Sequence, residues 1–496
     1  MAGIGFELRK LFVGQGIFKK VRAYAFASLI CSGTMLLAIA LLLGIQSMIK
    51  SFDATQKQLD LFTSVFIHSL LLSQLLTSIL QTYLSRYVAD QLYKDSPERV
   101  MPSLIGASLV MMIPGGILYA WMLSTADALT LVQKILVWLL FMELIPIWLQ
   151  MSYITAAKDF QAVLNVFVIG IFLALAVCIW GMIFGIDVIT APLLGLVTGY
   201  GFMLVGFMYV LLRYFPSGSG SCFHFISQLS RLGDLLLTGF LGTAGVFIHI
   251  IMMWYSPLGS AVTGVFRHSS MSDAAAFYAF LVMLPTNINF IISVEVSFYN
   301  KYRHYFDAVT GSGTISQLNR ARDDMKAVLR QEVSKLTQVQ VFFMVIYMVG
   351  MRYFLPVIGF TSDMIGMFQV MCIGYSAFSI GSSLMLLQLY FNDRAGAMGT
   401  AIILFAVNLS ASLITRNGPS YLYTIGIAAG GIAMYIVALP RLLWYIHRIN
   451  YRVYCSQPVF NDVKRSVWER FADKLDIRAE KPLRKGRDKL RKEMNG

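Results

Sequence analysis

The chain has 496 residues, of which 57% are hydrophobic and only 13% charged, with a mean hydropathy of +0.67. A soluble domain carries roughly 25% charged residues, so this composition excludes a water-soluble surface and divides instead into membrane spans of ~20 residues. The net charge of +14 is gathered in particular segments, which face anionic lipid, and no nucleic-acid partner is expected.

The sequence opens MAGIGFELRKLF, a short basic amphipathic segment containing Arg9, before an apolar run over 23–48. A signal peptide has an apolar core of roughly 7–15 residues and an A-x-A-like cleavage site. This run is longer and has no such site within reach, so it is expected to be a retained first span. Further apolar runs lie at 60–88, 102–123, 129–157, 161–184, 189–213, 232–255, 274–299, 335–355, 364–391, 395–414 and 420–447. The pattern predicts an all-α polytopic membrane protein with twelve transmembrane helices. A β-barrel is disfavoured, because ten-residue segments of strict alternation are absent.

Lys and Arg set the orientation. With the N-terminus inside, 34 of the 40 basic residues fall on inner segments and six on outer ones. That bias predicts cytoplasmic N- and C-termini in a bacterial inner membrane. The tail from Arg448 carries fourteen basic and seven acidic residues. Five cysteines are scattered, without a C-x-x-C or Cys/His cluster, so no metal or disulfide framework is expected and no cofactor is called for.

Residues 214–222 include Pro216-Ser217-Gly218-Ser219-Gly220-Ser221, a flexible linker by composition. It divides the chain into an N-terminal six-helix lobe (1–213) and a C-terminal one (223–447), followed by a basic cytosolic tail (448–496). The halves echo one another: TYLSRYVADQLYKD (82–95) aligns with SFYNKYRHYFDAVT (297–310), and Asp127, Gln133 and Lys158 align with Asp363, Gln369 and Arg394. Two pseudo-repeated lobes with a cavity between them suit alternating access. The stretch FHFISQLSRLGDLL (223–237) mirrors the amphipathic opening as a lead-in to the second lobe.

Ionisable and amide side chains at membrane depth are costly, and they face a cavity or a partner. The candidates for a substrate pathway are Glu143, beside Pro146, and Glu295, together with Gln74, Gln81, Asn287, Asn289, Gln369, Tyr375 and Asn408. Positions 74, 77 and 81 share one helical face. Helix–helix hydrogen bonding is the competing reading for all of them. Arg9, Arg86, Arg231 and Lys301 are candidates for the cytosolic mouth, although Arg231 and Asp234 are spaced for a local ion pair. The inner loop 301–335 contains an amphipathic stretch, with Ile315, Leu318, Met325, Leu329 and Leu336 on one face. It is expected to lie on the inner surface or to dock a partner. No P-loop or glycosyltransferase motif occurs, so an enzyme is not expected.

The opening MAGIGFELRKLF resembles the start of the Pel exopolysaccharide transporter family, and the Arg-Tyr ending of span two and the six-plus-six division fit it. The wider architecture resembles the multidrug/oligosaccharidyl-lipid/polysaccharide exporter superfamily, a MATE/flippase-like fold. The resemblance covers about 1–455. It implies export of a GalNAc/galactosamine-rich exopolysaccharide to the periplasm for a biofilm matrix. It also implies three partners: a cytosolic glycosyltransferase, a cyclic-di-GMP receptor in the membrane, and a TPR membrane protein. A flippase for a lipid-linked oligosaccharide and a non-transporting scaffold for the glycosyltransferase are the alternatives.

Overall fold

The computed structural model describes residues 41–52, 54–157, 159–215, 221–311, 314–419, 422–455 and six positions between 467 and 475. The opening segment with Arg9, and the first span up to residue 40, lie outside the described residues. The end of that span is helical over 41–51 (α1). Five long helices follow: α2 (Gln56–Tyr93), α3 (Val100–Ser124), α4 (Leu131–Ala157), α5 (Phe160–Ile183) and α6 (Thr190–Tyr214). Short helical turns over His224–Leu232 lead into α7 (Asp234–Trp254), as the amphipathic lead-in predicts. Beyond it come α8 (Ser270–Phe280), α9 (Leu284–Ile292), α10 (Tyr299–Thr310), α11 (Ile315–Phe354), α12 (Ser362–Tyr390), α13 (Arg394–Thr415), α14 (Ile425–His447) and α15 (Ile449–Tyr454). Among the described residues eleven helical segments are long and apolar enough to cross a membrane.

Helix starts are encoded locally. Thr55 and Gln58 form a capping box at α2, and Thr314 and Gln317 form one at α11. Asp159 caps α5 and Asp393 caps α13, each carboxylate accepting from the backbone N–H three residues on. These two aspartates are equivalent caps in the two halves, two residues out of step with the Lys158–Arg394 alignment.

The helices pack in two groups. In the first, α2, α3 and α6 pack on α4, and α5 packs on α6; in the second, α12 and α13 pack on α14, α7 on α13, and α8 on α12. The groups meet along α2 and α7. The first group has one continuous apolar core, which also takes up Phe225, Phe266 and, from the tail, Ala472.

Two expectations are corrected, and one element is unforeseen. The eighth span is not one regular helix over 274–299: a 3-10 turn at Leu281–Met283 precedes Pro285, and a π-helical turn over Ser293–Phe298 joins α9 to α10. The amphipathic stretch 315–336 is not a separate surface helix, because it continues without a break into the ninth span as the 40-residue α11. Leu318, Met325, Leu329 and Leu336 are buried in one cluster with Tyr305, Leu384 and Leu442, while Ile315 stays 79% exposed. The apolar stripe is covered from within the chain. Lastly, a two-stranded antiparallel hairpin, β1 (Ser260–Thr263) with β2 (Phe266–His268), interrupts the helices between α7 and α8.

Candidate functional site

Helix α2 meets the second half of the chain along its whole length. Near its start, Ser64 Oγ donates to the carbonyl of Arg267 on β2, and the His68 ring stacks on Trp254 with centroids 4.2 Å apart. Phe266 is fully buried, edge-on to both His68 and Tyr119. The hairpin is also tied to the turn after α3: Thr263 Oγ1 accepts from the Ala128 N–H at 3.1 Å, and Thr125 Oγ1 from the Val265 N–H at 3.3 Å. Gly264, at φ +50°, packs so closely on Thr125 that a Cβ would lie 2.2 Å from its carbonyl oxygen. A short motif of the second half is thus clamped into the first.

Midway, α2 and α7 touch backbone to backbone. A Cβ on Gly239 would lie 2.4 Å from the Ser78 carbonyl oxygen, the close approach that small residues permit between membrane helices. Near the other end, Tyr83 donates to the Phe225 carbonyl and Tyr87 Oη meets His224 Nδ1 at 3.1 Å. Arg99 lies 3.4 Å from the other nitrogen of the same imidazole.

The polar face of α2 lies between these contacts. Gln74 Nε2 donates to Gln81 Oε1 at 3.4 Å, and Gln81 Nε2 to Thr77 Oγ1 at 3.3 Å. By helical spacing this face sits between Ser73, which accepts from Trp148 Nε1 of α4, and Ser78 and Thr82, which face α7. Among the described residues Gln74 Oε1 is buried without a hydrogen-bond partner. So is Glu143 Oε2, on α4. The other carboxylate oxygen, Oε1, faces α6, where a Cβ on Gly201 would be 3.2 Å away. Two turns along α4's α6-facing side, Gln150 donates to the Leu204 carbonyl. Glu143 and the amides of α2 therefore lie on opposite sides of α4 packing, and no hydrogen bond joins them among the described residues.

The remaining candidates are dispersed over the second half. Asn408 Nδ2 donates to the Gly245 carbonyl at 2.7 Å and its Oδ1 accepts from Ser412, so it ties α13 to α7. Tyr375 is buried, with its hydroxyl 3.1 Å from His249 Nε2. Asn289 is buried with Nδ2 unpartnered among the described residues, whereas Asn287 and Gln369 are half-buried. Glu295 falls in the π-helical turn, and its side chain lies outside the described residues. At the basic end, Arg86 pairs with Asp90 at 3.1 Å and Lys301 with Asp324 at 2.9 Å. The expected Arg231–Asp234 pair is replaced: Arg394 bridges the Asp234 carboxylate, at 3.0 Å, and the Arg231 carbonyl. A guanidinium from α13 reaches both acceptors at once, which a neighbour on the same short helix cannot do.

Two features escaped the sequence reading. The hairpin gave only the weak signal of Gly264 between β-branched residues. Gln340, fully buried in α11, donates to the Val282 carbonyl and Ser376 Oγ at 2.9 Å each and accepts from Thr286. It satisfies polar groups freed where the eighth span departs from regular helix.

A model described as "PelG: Putative exopolysaccharide Exporter (EPS-E)" matches residues 1–454. The chain belongs to the PelG family. No curated protein matches it by sequence, but its fold is similar to solved MATE transporters. A MATE in the straight conformation superposes with a TM-score of 0.59 at 12% identity, covering 86% of this chain and 96% of that one. The eukaryotic MATE transporter AtDTX14 gives 0.57 at 12% identity, covering 92% and 98%. A multidrug resistance MATE of the MOP superfamily, in an outward-facing conformation, gives 0.56 at 12%, covering 86% and 96%. This PelG-family chain is therefore a multi-pass membrane protein with a MATE-like, flippase-like fold.

Proposed function

We propose that the chain exports a GalNAc/galactosamine-rich exopolysaccharide from the cytosol across a bacterial inner membrane, along a path between its two helix groups. The observation that carries this reading is the family match over nearly the whole chain. Unsatisfied polar atoms add physical support. A transporter of hydroxyl- and amine-bearing sugars needs polar atoms that are not already satisfied by the protein, and among the described residues Gln74 Oε1 and Glu143 Oε2 are buried without partners. Amides accept from and donate to hydroxyls, and a carboxylate suits an amine-bearing sugar. By contrast, Asn408 and Tyr375 are engaged by α7, through the Gly245 carbonyl and His249. Gln74 and, from within the first helix group, Glu143 are therefore the favoured pathway residues, with Arg86 and Lys301 at the basic cytosolic mouth. The termini face the cytosol in this reading, and the hairpin faces the periplasm. Chemistry belongs to partners rather than to this chain: a cytosolic glycosyltransferase, working with a cyclic-di-GMP receptor and a TPR membrane protein.

The test is secreted polymer from cells carrying Glu143→Gln or Gln74→Leu, with membrane-inserted protein measured in parallel. Export should fall about tenfold or more in at least one variant, the cost of one lost charge-assisted hydrogen bond. Wild-type export from both variants would remove these residues from the path. Accumulation of lipid-linked intermediates on deletion would favour a flippase for lipid-linked oligosaccharide.

A further inference from the structure

The upper half of α11 is turned almost entirely away from the protein. Phe342, Val349 and Tyr353 are all more than half exposed. Below this stretch, α11 and α14 splay apart to leave a groove of about 620 Å³, within the roughly 300–1,000 Å³ typical of small-molecule sites. Three reversals of the chain separate α14 from α11, so the two walls run antiparallel. From α11 come Arg330, Ser334, Thr337 and Phe342; from α14 come Leu439 and Leu443. The walls are thus graded, from a guanidinium at one end, through two hydroxyls, to aromatic and aliphatic side chains.

The hydroxyls are occupied. Thr337 donates to the Val333 carbonyl, and Ser334 Oγ accepts from Gln338. Arg330 is different: among the described residues no carboxylate pairs with it. It continues a row of cations on one face of α11, after Arg322 and Lys326 at four-residue steps, and both of those share Asp323. Further cations lie at the same end of α14 but on its other face, where Arg441 is paired with Asp393 at 2.7 Å. One residue beyond Leu443, the Trp444 ring carries the guanidinium groups of Arg441 and Arg448 at 4.8 and 5.0 Å. An apolar furrow that opens to the bilayer and ends at the Arg330 guanidinium, with no carboxylate against it among the described residues, fits a molecule with an anionic head and apolar tails.

We propose that this groove is a binding site for one anionic phospholipid of the surrounding bilayer, its phosphate on Arg330 and an acyl chain along Phe342, Leu439 and Leu443. A lipid so bound fills the gap between α11 and α14 and fixes the splay of α11 at a position that no side chain of the described protein fills. The site is independent of the transport path, and its test does not use secreted polymer.

The full chain is placed in nanodiscs of phosphatidylglycerol or of phosphatidylcholine, released into mild detergent, and weighed by native mass spectrometry. The wild type should retain one phosphatidylglycerol and little phosphatidylcholine. Arg330→Gln, at an exposed position that does not threaten folding, should lose that retention about fivefold, the worth of one cation against an anionic headgroup. Leu439→Trp, which fills the furrow, should lose it as well. Equal retention of both lipids, unchanged in Arg330→Gln, overturns the proposal. So does preferential retention of added polyprenyl phosphate over phosphatidylglycerol, or a dimer of this chain that carries no lipid.

Discussion

Phe266, on a hairpin of the second half of the chain, lies edge-on to His68 on α2 of the first, with ring centroids 5.2 Å apart. The contact is long-range in sequence and fully buried, and it closes one end of the seam between the two helix groups. Any motion that parts the groups at this end must first withdraw Phe266 from between His68 and Tyr119.

Phe266→Ala should therefore loosen the closure. Emptying a buried Phe site costs ~3–5 kcal/mol, here charged to the closed arrangement. Ser64, fully buried beside the hairpin, supplies the reporter. Maleimide labelling of Ser64→Cys should be at least about tenfold faster in the Phe266→Ala background, equivalent to ~1.4 kcal/mol of lost closure. An unchanged rate would mean that the hairpin does not hold the seam.

Acid should loosen the same contact. Burial holds the His268 imidazole below its ordinary value, with the Asp60 carboxylate, 3.9 Å away, opposing the shift. A depressed histidine is favoured neutral in the closed form, so closure is fully supported above its ordinary range, roughly pH 6.5. It weakens as protons bind preferentially to the opened form below that range. Labelling of Ser64→Cys, divided at each pH by the rate for a free thiol to remove the thiolate fraction, should accordingly rise as pH falls from 7.5 to about 5.5, with a shallower slope in His268→Gln. A flat profile in the parent would contradict this sign.

The α2–α7 seam should tolerate no side chain at Gly239. A Cβ there meets the Ser78 carbonyl oxygen, part of a helix backbone that cannot swing aside as a side chain could. Gly239→Leu should destabilise the protein by about 1–3 kcal/mol, as overpacking does. Gly242→Leu is the control, since the nearest atom to its Cβ is the flexible end of Met385, 3.8 Å away. Thermal melts in one detergent should rank Gly239→Leu well below Gly242→Leu. Equal midpoints would contradict the close approach.

Gln340→Leu should cost stability rather than transport specificity. It strands the Val282 carbonyl, Thr286 and Ser376 in a buried site, each worth ~1–3 kcal/mol when unsatisfied. Hydrogen exchange of α9 should accelerate in this variant more than that of α2. Uniform exchange would mean that Gln340 does not pin the distorted span.

Much of this architecture was legible in the sequence because bilayer thickness imposes run length, and capping residues such as Asp159 and Asp393 mark where helices begin. The polar face of Gln74, Thr77 and Gln81 was legible for the same reason: helical period alone brings those positions together. Which buried amide is a tie and which is open was not legible. Asn408 and Gln74 look alike in sequence, and only the position of the Gly245 carbonyl distinguishes them. The hairpin was hidden because its stability comes from docking on α2 and Thr125, not from local strand pattern. The fate of the 315–336 stripe was hidden likewise: amphipathicity gives a face, while the packing of Tyr305 and Leu442 decides what covers it.

The claim that cargo passes between the two helix groups is tested most directly by locking the seam. Thr125→Cys with Val265→Cys puts two cysteines at adjoining positions of the hairpin and the turn after α3, where the Val265 N–H donates to Thr125 Oγ1 at 3.3 Å. A disulfide formed there joins the hairpin to the first helix group. Polymer secreted by cells carrying the pair should fall at least about tenfold when the disulfide forms, and return on treatment with a membrane-impermeant reductant. Undiminished secretion from the fully oxidised protein would contradict transport through this seam and leave the chain a scaffold.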